Sequence, residues 1–129
     1  MSLLRPLILQ DDVGVWDVDQ PVPSGQSVEL FEVLLDVVGA EDWVRFRFLA
    51  SDIGAGPQAK GFEEVQLDFE HLCHATALPY LEAYDLAADV VVIALSDREV
   101  PFGQPDPEAT QYIEAFRVQG NACVLEGLW

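Results

Sequence analysis

Positive charge is scarce in this chain. Six Lys and Arg stand against 23 Asp and Glu in 129 residues, a formal net charge of −17. Nucleic-acid binding needs clustered Lys and Arg to displace counterions, so the deficit excludes nucleic acid as a partner. It argues equally against an anionic membrane surface. Cationic partners, divalent cations and plain solubility all remain compatible with it. Long apolar runs are missing too. No stretch reaches the ~20 residues of a membrane-spanning helix, so membrane insertion by that route is not expected. The opening MSLLRPLILQ is short and broken by Pro6, and no complete export signal is expected in it.

Catalytic vocabulary is thin. There are two histidines and two cysteines. No GxSxG elbow occurs, and the glycine-rich GAGPQAKG (54–61) lacks the GK[ST] ending of a phosphate-binding loop. Both histidines and one cysteine fall in a single stretch, EHLCHAT (70–76), which raises the question of a metal site.

What is present is a core. Half of the residues are hydrophobic and they come in ordered runs, which excludes disorder. The length fits one domain, burying roughly two-thirds of its unfolded surface. Residues 1–27 read as an N-terminal extension, irregular or weakly strand-like, with Asp11, Asp12, Asp17 and Asp19 around Val13–Trp16 and a turn-rich PVPSGQ. Residues 28–129 read as a single α+β domain. Alternation in VELFEVLLDVV and WVRFRFL, on either side of Gly39, predicts a β-hairpin. It sets Phe31, Val33, Leu35 and Val37 on one face and Leu30, Glu32, Leu34 and Asp36 on the other. Asp36 falls near Arg45 on the outer face, so Arg45 and Arg47 read as paired strand residues before they read as an anion site.

From Phe62 to Thr76 the period changes to helical. Phe62, Val65, Phe69, Leu72, Cys73 and Thr76 share a stripe, opposite Glu63, Glu64, Asp68, Glu70, His71 and His74. Pro79 bends or restarts this helix. DVVVIAL (89–95) predicts a central strand buried on both faces. Tyr112–Val118 and Ala122–Leu128, around a Gln119–Asn121 turn, predict a second hairpin with Cys123 and Leu125 inward. The sum is an α+β fold: a largely antiparallel sheet of two hairpins and a central buried strand, with one main amphipathic helix on one face.

The helical period splits EHLCHAT. Cys73 turns to the core, and His71 and His74 turn to solvent beside acids. A metal could then involve only His71, His74 and Glu70, and no cofactor is expected. A Cys–His nucleophile pair is not formed by residues on opposite faces. Carboxylate chemistry would fall to Asp97, Asp106 and Glu108, in the Pro-rich loop after the central strand, where turn formation already accounts for such residues. The two cysteines, both inward, form either a disulfide that ties the helix to the last strand or two buried thiols of a cytosolic protein.

The stretches VPSGQSVELFEVLLD, WVRFRFLA, DFEHLC with ALPYL, and ALSDREVPFG with DPEATQYIEAFRV resemble a family of small uncharacterised, exported alphaproteobacterial proteins. The resemblance covers roughly residues 22–128. It implies export to the periplasm and a Cys73–Cys123 bridge. It supplies no activity and no catalytic residues. Some members carry an acetolactate synthase label. Thiamine-diphosphate enzymes use several domains, and a single domain of this size has no room for them. The expected function is a non-enzymatic periplasmic or envelope interaction module with a protein or small-molecule partner. The alternatives are a carboxylate- or metal-dependent hydrolase using the 96–110 loop, and an acidic mimic of nucleic acid. The alternative location is the cytoplasm.

Overall fold

A computed structural model describes residues 3–7, 20–54, 56, 57 and 59–126. The acids Asp11, Asp12, Asp17 and Asp19 and the run Val13–Trp16 lie outside the described residues. The strands are β1 (Leu3–Leu7), β2 (Gln20–Pro21), β3 (Ser27–Val38), β4 (Glu41–Leu49), β5 (Val90–Ser96), β6 (Gln111–Gln119) and β7 (Ala122–Leu125). They order as β1-β3-β4-β5-β6-β7, with β2 paired to the start of β3. Every pairing is antiparallel except β4 with β5. The one parallel pair requires a crossover, and the helical segment supplies it.

Both expected hairpins form. Val38 pairs with Glu41, and Gln119 with Ala122. Each turn needs one left-handed residue, which Gly39 (φ +63°) and Gly120 (φ +62°) provide without a Cβ clash. β5 is buried along nearly its whole length, as an apolar β-branched run in mid-sheet should be.

The helical segment comprises α1 (Phe62–Leu72), a π turn (Cys73–Ala77) and α2 (Leu78–Ala83). Glu64 accepts a hydrogen bond from the Gly61 N–H at 3.1 Å and so caps α1, although Gly61 has no side chain to return the bond. Pro79 cannot donate to the carbonyl four residues back. The chain widens just before it, and the Leu78 N–H reaches the Cys73 carbonyl instead. Regular α-helix restarts at Leu78 with Pro79 in its first turn, as expected.

This segment packs on one face of the sheet only. Val28, Leu30, Val33, Val44, Phe46, Phe48, Val91, Ile93, Leu95 and Phe116 meet Val65, Phe69, Leu72 and Tyr80 there. Three of the sequence-based burial assignments fail, one of them Leu125, expected inward beside Cys123 but 59% exposed at the end of β7, the outermost strand. In β3 the register shifts between Leu30 and Glu32, so Leu30 joins the core and Phe31 leaves it. A bulge re-aims the side chains beyond it, which simple alternation does not anticipate. On α1, Asp68 is completely buried rather than solvated. Its carboxylate accepts from the Ser24 N–H (2.8 Å), the Ser24 hydroxyl (2.5 Å) and the Gln26 amide (2.9 Å). It thereby binds the Pro23–Gln26 turn to the helix.

Candidate functional site

The face of the sheet without a helix carries two of the chain's six basic residues side by side. Arg45 and Arg47 both point to it from β4, two residues apart on one side of a strand. Arg45 donates to the Asp36 carboxylate at 2.9 Å through Nη2 and at 3.3 Å through Nε. The expected pair therefore forms, as a diagonal contact, since Asp36 lies directly opposite Trp43. Arg47 pairs with Glu32 and donates through Nη2 to the Val100 carbonyl at 2.5 Å. That second bond fastens the 97–110 loop down on the sheet.

Phe102, at the tip of this loop, lies over both guanidinium groups, with its ring centre 5.4 Å from the Arg45 carbon and 5.6 Å from that of Arg47. Trp43 flanks Arg45 at 5.5 Å, and the re-aimed Phe31 flanks Arg47 at 5.0 Å. Alternating aromatic faces and guanidinium planes stabilise one another by roughly 0.5–2 kcal/mol per contact. Beside this stack runs a groove of about 480 Å³. Its floor is Arg45, Arg47, Val92, Ala94, Gln111 and Ile113, and its wall is Pro101 to Asp106. The volume lies within the range of small-ligand sites.

The three carboxylates expected to carry any acid–base chemistry are not gathered in the groove. Asp97 closes the base of the loop. It accepts from the Thr110 N–H at 2.9 Å and from Arg98 at 3.1 and 3.3 Å, while its own N–H donates to the Thr110 carbonyl at 3.0 Å. The Arg98 hydrogen bond holds its pKa below the usual carboxylate value against the opposing effect of burial. Glu108 lies on the exposed surface, 3.8 Å from Arg98. Asp106 alone lines the groove, and one of its oxygens caps the loop by accepting from the Glu108 N–H at 3.0 Å.

The EHLCHAT segment also resolves into separate parts. Cys73 and Cys123 form a disulfide, with Cα atoms 6.4 Å apart, joining the π turn to β7. His71 is exposed, as expected. His74 is exposed too, as expected, yet its ring reaches β7. Its Nε2 accepts from the Cys123 N–H at 3.1 Å and its Nδ1 faces the Glu70 carbonyl at 3.0 Å. These two contacts fit a neutral ring with the proton on Nδ1. His74 belongs to the π turn that begins at Cys73, the turn that the disulfide joins to β7. With both ring nitrogens engaged, His74 does not join His71 and Glu70 as a ligand set. Among the described residues no three His, Cys, Asp or Glu side chains gather into a metal-binding cluster.

Sequence reasoning missed Phe102 and Phe31 as parts of the site. Phe102 did carry a signal, being a large apolar residue in the middle of a polar, proline-rich loop. Phe31 carried none, because the bulge that turns it is set by pairing with β4. Glu114 was also missed, although alternation along β6 sets it with Tyr112, Phe116 and Val118 on the helix-covered face. It is almost fully buried, and burial raises its pKa.

None of the described helices is long and apolar enough to cross a membrane. No curated protein and no solved structure matches the chain. Residues 8–128 match a family described as a family of unknown function, DUF6497, and the chain belongs to that family.

Proposed function

We propose that this member of DUF6497 is a non-enzymatic binding module of an oxidising compartment such as the periplasm, and that the groove beside Phe102 is its recognition surface. The observation that carries the reading is the stack of Phe102 on Arg45 and Arg47 at the edge of a preformed groove. Asp36 and Glu32 offset the two arginine charges, so the groove is close to neutral although it is rich in donors. Arg45 keeps Nη1 for a ligand, and Gln104 and Gln111 add side-chain amides. Such a surface suits an uncharged, acceptor-rich ligand that also stacks on an aromatic ring.

Two further observations support this over a hydrolase. Asp97 and Glu108 are occupied in shaping the loop, and no second carboxylate joins Asp106 among the groove's residues. The disulfide supports the compartment, because such bonds persist where thiols are not kept reduced.

Amide chemical-shift mapping tests the reading, with N-acetylated amino-acid amides and neutral oligosaccharides as probes. Perturbations should cluster at Phe102, Gln104, Gln111 and Ile113. Perturbations confined to other surfaces would contradict it. So would turnover of ester, phosphoester or glycoside reporters that Asp106→Asn alone abolishes.

A further inference from the structure

We propose that a second groove, on the helix-covered side of the sheet, is a binding site for an alkylammonium group: an ammonium head on an aliphatic stem. The groove has a volume of about 310 Å³ and runs between α1 and the outer strands β6 and β7. Glu114 contributes its carboxylate from β6. The residue is only 6% exposed, and no described residue gives it a hydrogen bond or an ion pair. Its oxygens are not sealed among the fully buried polar atoms, so they open to the groove. A carboxylate so largely withdrawn from water and without a partner is costly to a fold, and a cation is the group that offsets that cost.

Among the described residues no Lys or Arg side chain meets that carboxylate, and Lys60 lines a separate hollow with Ser51, Asp52 and Pro57. Arg45, Arg47, Arg98 and Arg117 are each paired elsewhere, with Asp36, Glu32, Asp97 and the Glu41–Glu126 couple respectively. Besides Glu114 the groove is lined by two exposed polar residues, Gln66 and Glu70, and by four apolar ones. Phe69 and Phe116 form the inner part, and Leu67 and Leu125 form the rim. These two leucines are the most exposed of the large hydrophobic residues described, at 68% and 59%. An aliphatic stem lying between them covers that surface while its head reaches Glu114, as lysine stems do on other apolar surfaces. A compact ammonium needs only one carboxylate, whereas a guanidinium prefers a planar, two-oxygen partner. A metal ion would need ligands that the groove does not assemble. The net charge of −17 adds long-range attraction for any cation.

The site is tested by titrating the intact, oxidised protein with cadaverine and, separately, with an N-acetyl-Gly-Lys-Gly amide peptide, following amide shifts. 1-Pentanol provides a stem without a charge. Shifts should concentrate at Gln66, Phe69, Phe116 and Leu125 for an ammonium probe, and pentanol should bind more weakly. Glu114→Gln keeps the shape and removes the charge. It should weaken ammonium binding about tenfold or more, the scale of one charge-assisted hydrogen bond. Glu63→Gln, an acid exposed in the first turn of α1, should leave it unchanged. Binding of cadaverine but not the peptide identifies free amines as the source, and the reverse identifies a lysine of a partner protein. Shifts spread over the acidic surface, equal affinity in Glu114→Gln, or no response to either ammonium probe would overturn the proposal.

Discussion

Replacing Cys73 and Cys123 together by alanine is the perturbation with the largest expected effect on stability. The bond joins residues 50 apart in sequence, from the π turn to the last strand of the sheet. In the chain-entropy account, a loop of that length restricts the unfolded chain by about 4 kcal/mol. Losing two buried sulfur atoms adds about 1 kcal/mol per site. Against a total stability of roughly 5–15 kcal/mol, this is a large share. The folded structure itself should change little. His74 still accepts from the Cys123 N–H, and the sheet pairing of β6 with β7 does not depend on sulfur. Denaturant unfolding at neutral pH is the assay, comparing the oxidised wild type, the reduced wild type and the double variant. The midpoint should fall in both altered forms, further in the double variant, with far-UV circular dichroism nearly unchanged. The reduced wild type isolates the cross-link from the cavities. A loss below about 1 kcal/mol in that sample would refute the reasoning, because the entropy of a loop this long predicts several times more.

Three other changes probe separate parts of the account. Asp68→Ala should cost about 3 kcal/mol or more, since it strips a buried carboxylate from three donors at Ser24 and Gln26, and thermal unfolding reads the loss. Burial raises the pKa of Glu114 in the folded protein, so its contribution to stability is fully present below the unfolded value of ~4.3 and is lost as pH rises through the folded value. Glu114→Gln should therefore be more stable than wild type at pH 7, with the gap closing toward acid in paired melts. Asp97 has the opposite sign, because Arg98 lowers its pKa: its contribution is present above the unfolded value of ~3.9 and is lost as pH falls through the folded value. Asp97→Asn should remove that acid dependence and speed hydrogen exchange at the Thr110 N–H.

Local pattern determined how much could be read ahead of the structure. The β3–β4 hairpin was legible because Val44, Phe46 and Phe48 alternate with Trp43, Arg45 and Arg47, and period two has only one structural reading over that length. The inward positions of both cysteines were legible and left a bridge or two buried thiols open, and the family resemblance implied the bridge. What escaped was set by tertiary pairing. Asp68 sits only about 40° beyond Leu72 on a regular helical wheel, at the border of the apolar stripe. Its burial depends on Ser24 and Gln26, which are more than forty residues away. The parallel pairing of β4 with β5 was likewise invisible, since β5 reads as a buried strand whichever way it runs. The groove exists because the 97–110 loop folds back on the sheet through Arg47 and Val100, a contact between residues 53 apart.

The most direct test of the account is the affinity of the wild type and of Phe102→Ala for a probe that perturbs the groove amides. Phe102 is 42% exposed and belongs to neither buried cluster, so its removal should cost about 1–2 kcal/mol of stability, the scale of its two contacts with Arg45 and Arg47, and leave the protein folded. Binding should weaken about fivefold or more, the scale of one aromatic stacking contact. Equal affinity in the two proteins would contradict the assignment of this groove as the recognition surface.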